Sequence, residues 1–170
     1  MTLISPSLAS YILTHTFMHS VAINSQTSNC KQPSSLWNNH DTIIHQWPHN
    51  TGLMITYLAD CGKVLCSKFD STKPRWCKIH QVGKKPNGGE WFQANLMQGG
   101  KVSAKLPENI QPGNYLVQHK IITLHLAQNQ EGAEFYPACT QLHIGGSGTG
   151  VPTKDELVSL NYQFPGPAVS

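Results

Sequence analysis

Short segments with the composition of β-strands, each followed by a turn, run through most of the 170-residue sequence. Alternating apolar residues are typical of strands, and clusters of glycine, proline and asparagine are typical of the turns between them. The predicted strands are Gly52–Ala59, Arg75–Val82, Val102–Leu106, Asn114–Ala127 and Phe135–Ile144. Because no apolar period of about 3.6 residues is sustained, helices are not expected to build the core. The sequence therefore predicts an all-β protein, an antiparallel β-sandwich with long loops.

The composition fits a single domain with its own apolar core. Hydrophobic residues make up 39% of the chain and charged residues 12%, and the net charge is +3 at pH 7. The longest basic run is the pair Lys84 and Lys85, so neither a nucleic acid nor an anionic membrane is indicated as a partner. No segment reaches the roughly 20 apolar residues of a membrane-spanning helix.

The first 14 residues are uncharged and moderately apolar, and they have two interpretations. One is a secretory signal peptide, although the segment lacks Lys and Arg, contains Pro6, and has the bulky Ile12 and Thr14 near the cleavage point. The other is the first strand of the fold. The predicted organisation is therefore a candidate signal peptide over residues 1–14 and one β-sandwich domain over residues 15–170.

The spacing of the cysteines favours disulfide bonds over a zinc site. Cys61 and Cys66 are close in sequence across a loop, and Cys30 and Cys139 are far apart, whereas zinc ligands usually form CxxC pairs. Cys77 is left over. Disulfides are typical of secreted proteins, so the cysteines favour export from the cell.

The predicted strand Asn114–Ala127 and the strand after it bring several polar side chains together. Because side chains alternate between the faces of a strand, His125 lies on one face, while the other face is expected to be core: Leu116, Ile122, Leu124 and Leu126. A short turn returns the chain, so Glu134 and Tyr136 are expected opposite His125. Taken alone, His125 is interpreted as a hydrogen-bonded core histidine and Tyr136 as an ordinary strand tyrosine.

The order of these residues resembles the signature of a known family. The stretch from Leu106 to Gly150 reads LPENIQPGNYLVQHKIITLHLAQNQEGAEFYPACTQLHIGGSGTG. It is similar to the fungal lytic polysaccharide monooxygenases of auxiliary activity family 9, formerly glycoside hydrolase family 61. Pro48–Cys61 and Arg75–Ile79 resemble further segments of this family, and a block that begins at His15 resembles the start of a processed member. The resemblance agrees with the predicted fold, an antiparallel β-sandwich of the immunoglobulin- or fibronectin-like kind.

The resemblance implies a site for one copper ion. His15, as the first residue of a processed chain, would bind copper through its α-amino nitrogen and its imidazole, and His49 would supply a second imidazole. Tyr136 would be an axial ligand. His125 and Glu134 would position the oxygen co-substrate by hydrogen bonds; many members have Gln in the place of Glu134, and the Glu form also occurs. Imidazole and amine nitrogens suit copper, and the groups around a metal often matter nearly as much as its ligands.

The function implied by the family is oxidative cleavage of insoluble cellulose or related β-1,4-glucans. An external electron donor, either a small reductant or a redox enzyme, reduces the copper, and O2 or H2O2 is the co-substrate for removal of hydrogen at C1 or C4. The enzyme is expected to be secreted, extracellular and monomeric. Tyr162 is a further candidate for contact with the substrate, and the Cys30–Cys139 disulfide also depends on the resemblance.

Several positions depart from the family pattern. The replacements are Leu53 for proline, Gln118 and Lys120 for arginine and glutamate around His119, and Cys77 for phenylalanine. The interval between His15 and His49 is short for the family, and the chain ends early, so a shortened member is expected. Two alternatives to an active enzyme therefore remain: a non-catalytic copper- or polysaccharide-binding relative, and a truncated inactive member.

The other histidines and the tryptophans receive structural interpretations. No motif surrounds His19, His40, His45, His80 or His143, so each is expected to be exposed or hydrogen-bonded. Stacking on sugar rings is one interpretation of Trp37, Trp47 and Trp91, but a buried core position is preferred for each.

Overall fold

Eight strands and one short helix make up the regular structure of the described residues. The computed structural model describes residues 2–4, 10–13, 47–73, 75–86, 88–129 and 132–160. The strands are β1 Thr2–Ile4, β2 Ser10–Leu13, β3 Gly52–Gly62, β4 Trp76–Val82, β5 Val102–Lys105, β6 Gly113–Thr123, β7 Glu134–Ile144 and β8 Leu157–Val158. The α-helix, α1, covers Gln93–Met97, and single 3-10 turns lie at Cys66–Lys68 and Lys154–Glu156.

Six of these strands form one sheet, in the order β1-β7-β6-β3-β4-β8, and β2 pairs with β5 in a second, two-stranded sheet. The pairs β3–β4, β3–β6, β4–β8, β6–β7 and β2–β5 are antiparallel, and β1 lies parallel to β7. The prediction of an all-β, mainly antiparallel sandwich fold is therefore confirmed. β1 and β2 lie within the first 14 residues, in agreement with the strand interpretation of that segment, and its removal as a signal peptide stays a prediction.

The predicted strands fall on observed strands, and the differences lie at their ends. β3 continues past its predicted end at Ala59 to Gly62, whereas β6 ends at Thr123, before its predicted end at Ala127. The helix α1 was not predicted, because its five residues are too few to show a helical period. In the described part of the chain, no helix has the length and apolar character needed to cross a membrane.

A tight turn follows β6. The backbone N–H of Ala127 donates to the carbonyl of Leu124, and that of Asn129 donates to the carbonyl of Leu126, with lengths of 3.1 and 3.0 Å. His125 and Leu126 therefore belong to the turn and not to the strand. Leu126, predicted to lie in the core, is 43% exposed, so that prediction is wrong.

Both faces of the six-stranded sheet are buried. One face carries two apolar clusters, and α1 and β5 help to cover it by contributing Leu96 and Val102 to the cluster that contains Trp47, Met54 and Ile121. The opposite face carries a third cluster, which includes Ile55, Tyr57, Trp76, Leu116, Ile122 and Phe135. β6 was expected to bury one face, but it lies at the centre of the sheet, and residues 115–123 are buried throughout. Burial of each large apolar side chain contributes about 1.5–3 kcal/mol to folding.

Polar side chains are also buried within this sheet. They are Thr56, Gln118, His119, Lys120 and Thr123, together with Gln93 of α1. Burial lowers the pKa of Lys120 to about 7. Two of the departures from the family pattern, Gln118 and Lys120, therefore lie in the interior and not on the surface.

The Cys61–Cys66 disulfide is present, with a Cα–Cα distance of 5.3 Å, as predicted. It ties the end of β3 to the following 3-10 turn. Cys139 is also disulfide-bonded, and its predicted partner, Cys30, lies outside the described residues. Cys77 is a free, half-buried thiol on β4.

Candidate metal centre

Four of the predicted site residues lie together at one end of the six-stranded sheet. His49 precedes β3, Glu134 begins β7, and His125 follows β6. These segments meet because the sheet is antiparallel there: Gly52 pairs with Thr123, and Thr123 pairs with Glu134, in one row across three strands. The metal-binding atoms of His49, His125 and Glu134 all lie within 4.8 Å of one another.

The carboxylate of Glu134 is held by two hydroxyl groups. Its Oε2 accepts hydrogen bonds from Tyr136 at 2.8 Å and from Thr123 at 3.2 Å. The strand register differs from the predicted one, because Thr123, and not His125, lies opposite Glu134. Thr123 was not predicted as a site residue, although its alternation along β6 places it on the face of Tyr136.

Tyr136 joins the carboxylate to the first histidine. Its hydroxyl oxygen lies 3.3 Å from Nε2 of His49, and that nitrogen lies 3.7 Å from Oε2 of Glu134. The ring of Tyr136 packs edge-on against Trp47, with a centroid distance of 4.9 Å, and Trp47 also contacts the ring of His49 at 5.3 Å. Trp47 is 5% exposed, which confirms its core interpretation. On its buried side, the site is therefore formed by the packed rings of Trp47, Tyr136 and His49.

His125 closes the site from the solvent side. It is exposed, and its ring stacks on that of His49 with a centroid distance of 4.3 Å and an interplanar angle of 20°. The interpretation of His125 as a buried core histidine is therefore wrong, and the early end of β6 is the reason. A backbone hydrogen bond of 3.0 Å from Leu124 to the carbonyl of Thr51 ties the turn to the segment that carries His49.

The protonation states of these groups follow from their surroundings. Burial, and then the positive charge of His125, lower the pKa of His49, against an opposing effect of Glu134. Partial burial is the largest effect on Glu134 and raises its pKa, but the hydrogen bonds from Tyr136 and Thr123 and the two histidine charges together lower it. The pKa of Tyr136 is raised by burial and by its hydrogen bond to Glu134. At neutral pH the site therefore holds a neutral His49, a carboxylate and a phenol.

This donor set fits a copper ion. The neutral imidazole of His49 and the neighbouring carboxylate of Glu134 offer nitrogen and oxygen donors 3.7 Å apart, and the two side chains are 19% and 29% exposed. Imidazole suits copper and zinc, and carboxylate oxygen adds to a site for a divalent ion. His15, the other predicted histidine ligand, lies outside the described residues, as does Tyr162.

The remaining candidates lie elsewhere. The imidazole Nδ1 of His143 lies 2.9 Å from Asn114 Oδ1, as expected for a histidine without a motif. His80 differs from that expectation, because it is half-buried and its Nδ1 has no hydrogen-bond partner among the described residues. Trp91 is only half-buried, with the Lys84 ammonium 5.4 Å from its ring centroid. Trp37, His19, His40 and His45 lie outside the described residues.

Fold and site together define an all-β protein with a histidine-rich candidate metal centre at the end of its main sheet. The sequence profile of Auxiliary Activity family 9 (formerly GH61) matches residues 15–167. The chain belongs to this family.

Similar proteins agree with this assignment. An AA9 family lytic polysaccharide monooxygenase D from Gloeophyllum trabeum is 43% identical over 143 residues, which are 73% of this chain and 42% of that protein. An AA9 family lytic polysaccharide monooxygenase A from Geotrichum candidum is 37% identical over 140 residues, which are 71% of this chain and 48% of that protein. The chain thus spans less than half the length of these two relatives.

Solved structures show the same fold. Cel61B from Hypocrea jecorina, a glycoside hydrolase family 61 member, matches with a TM-score of 0.65 and 31% identity, over 73% of this chain and 54% of that one. A cellulose-active polysaccharide monooxygenase from M. thermophila matches with a TM-score of 0.63 and 30% identity, over 74% of this chain and 59% of that one.

Proposed function

We propose that this chain is a secreted, copper-dependent monooxygenase that cleaves cellulose or a related β-1,4-glucan by oxidation at C1 or C4. The observation that carries the proposal is the cluster of His49, Glu134 and Tyr136, joined by contacts of 2.8 to 3.7 Å and covered by the stacked ring of His125. Membership of the family and the activities for which its relatives are named support the same function.

In this proposal His15, His49 and Tyr136 would hold the copper ion. Copper bound there and reduced by an external electron donor would supply one-electron chemistry toward O2 or H2O2. The pKa of Tyr136 is raised, so the residue stays a phenol and offers a neutral oxygen. The edge-on ring of Trp47 excludes water from the buried side of Tyr136 and His49, and this holds the ligand side chains in place.

Glu134 and His125 are the groups that bind and orient the oxygen co-substrate. The carboxylate of Glu134 accepts protons, and the hydroxyls of Tyr136 and Thr123 fix its position. His125 is exposed and therefore stands between the site and an insoluble substrate. It donates or accepts a hydrogen bond at the point where a polysaccharide surface would lie over the metal.

The test is release of oxidised oligosaccharides from cellulose by the processed chain that begins at His15, loaded with copper and supplied with ascorbate. The wild type is expected to release them, and His49→Ala is expected to abolish the release. His143→Ala is the matched control, because it removes a hydrogen-bonded histidine near the opposite end of β7. Release by His49→Ala at the wild-type level would contradict the proposal. Aldonic acids report attack at C1, and 4-keto sugars report attack at C4.

A non-catalytic copper- or polysaccharide-binding relative is the second candidate. It rests on the same cluster, because the donor atoms of His49, His125 and Glu134 lie within 4.8 Å of one another and could hold a metal ion without any catalytic turnover. Electron paramagnetic resonance separates these possibilities. A stoichiometric copper signal without oxidised products indicates a binder, whereas weak, heterogeneous copper signals indicate a truncated member that does not fold.

A further inference from the structure

We propose that His49, His125 and Glu134 form a three-ligand site for a divalent cation of the zinc type, which uses neither the α-amino nitrogen nor the imidazole of His15. This inference goes beyond the oxidative function proposed above. In the proposed oxidative function, His125 and Glu134 lie beside the copper ion. In the zinc-type site, both residues are ligands of the ion.

The distances of the three donor atoms carry this inference. Zinc binds histidine nitrogen and carboxylate oxygen at about 2.0–2.2 Å, so two ligands of a tetrahedral ion lie roughly 3.4 Å apart. His49 Nε2 and Glu134 Oε2 are 3.7 Å apart, and all three donor atoms lie within 4.8 Å of one another. The ring of His125 must also rotate out of its stack on His49. Because His125 is exposed and lies in a turn, its ring can rotate into solvent.

One of the ligands, Glu134, is already oriented by hydrogen bonds from the protein side of the site. Tyr136 donates a hydrogen bond to Glu134 Oε2 at 2.8 Å, and Thr123 donates a second one to the same atom at 3.2 Å. A carboxylate has two oxygens with about four acceptor positions, so Glu134 can keep both bonds at Oε2 and offer its other oxygen, Oε1, to an ion. Contacts of this kind fix the ligands of metal sites and strengthen binding.

The ligand types select the class of ion. Two imidazoles and one carboxylate bind zinc in sites that keep a further position for water. The carboxylate is decisive here. An amide in the place of Glu134 would offer only a neutral oxygen. Binding of a divalent cation by His49, His125 and Glu134 therefore depends on the carboxylate of Glu134.

The test uses the chain that begins at Met1, in which the nitrogen of His15 is part of a peptide bond. The metal-free protein is titrated with Zn²⁺ in a calorimeter, and Co²⁺ absorption reports the ligand set. We expect one equivalent to bind, and His15→Ala to bind as tightly as the wild type. His125→Ala and Glu134→Gln are expected to bind about tenfold or more weakly. His143→Ala is the control for loss of an unrelated histidine.

Three results would each overturn the inference: no binding by the chain that begins at Met1, loss of binding in His15→Ala, or wild-type affinity in either His125→Ala or Glu134→Gln. Thermal unfolding of each variant without metal shows that it is folded, and the exposure of His125 makes that variant the least disruptive one. Failure here is distinguishable from failure of the proposed function, because that function is tested by oxidised products from the processed chain that begins at His15.

Discussion

Stability at acid pH is expected to depend on one buried histidine, His119. Its side chain lies at the centre of the sheet on β6, is 6% exposed, and its Nδ1 lies 3.0 Å from Oγ1 of Thr56. Burial, and to a smaller extent the positive charge of His80, lower the pKa of His119 from 6.5 to about 4. His119 is therefore neutral in the folded protein over most of the acid range.

The sign of the effect follows from proton binding. In the unfolded chain His119 takes up a proton below pH 6.5, whereas in the folded protein it does so only below about pH 4. Protons therefore favour the unfolded state between these values, and the stability present above pH 6.5 is lost as the pH falls toward 4. Because one pKa unit corresponds to 1.36 kcal/mol, the loss attributable to His119 amounts to about 3 kcal/mol.

The assay is urea unfolding of the wild type and of His119→Gln at several pH values between 7 and 4. Glutamine keeps a polar group beside Thr56 but does not titrate, so the variant is expected to lose about 3 kcal/mol less than the wild type over this range. The control is His143→Gln on β7, which leaves His119 in place and is expected to keep the wild-type pH dependence. If His119→Gln also keeps that dependence, His119 takes up its proton without unfolding, and the reasoning from burial is refuted.

Three further predictions concern the site. Gly132→Ala would place a Cβ 1.8 Å from the carbonyl oxygen of Leu126, so we expect urea unfolding to show a loss of about 1–3 kcal/mol, whereas Gly145→Ala, with open space around it, should cost much less. Tyr136→Phe removes the 2.8 Å hydrogen bond to Glu134 and should raise the pKa of that carboxyl, as measured by carbon-13 NMR; an unchanged value would contradict the assignment. Glu134→Gln should remove an acid limb from the pH–rate profile of oxidised-product release, and an identical profile would exclude titration of Glu134.

Much of the architecture was predictable because alternation along a strand is a local property. β3, β6 and β7 are short runs rich in apolar, β-branched and aromatic residues, and turn residues separate these strands, so both the strands and their approximate bounds follow from the sequence. The same alternation places Glu134 and Tyr136 on one face. It also places Thr123 on that face, so the hydrogen bond from Thr123 to Glu134 could have been predicted from the same alternation.

The end of β6 was not predictable in the same way. Leu124 and Leu126 continue the alternation of the strand, and nothing local distinguishes them from strand residues. The chain leaves the sheet because of contacts with segments distant in sequence. One is the hydrogen bond from Leu124 to Thr51. This difference changed the predicted environment of His125 from a buried strand position to an exposed turn.

The position of that turn is set by two glycines that no side chain could replace without movement. Gly52 has φ of 140°, and a Cβ there would lie 2.0 Å from the carbonyl oxygen of Ile122. A Cβ at Gly132 would lie 1.8 Å from the carbonyl oxygen of Leu126, on the other side of the turn. The backbone that carries His125 is thus held between β3 and the segment before β7. An exposed side chain usually has no fixed position. Here the backbone contacts of the turn keep His125 beside His49, and this is why residues so far apart in sequence can act as one site.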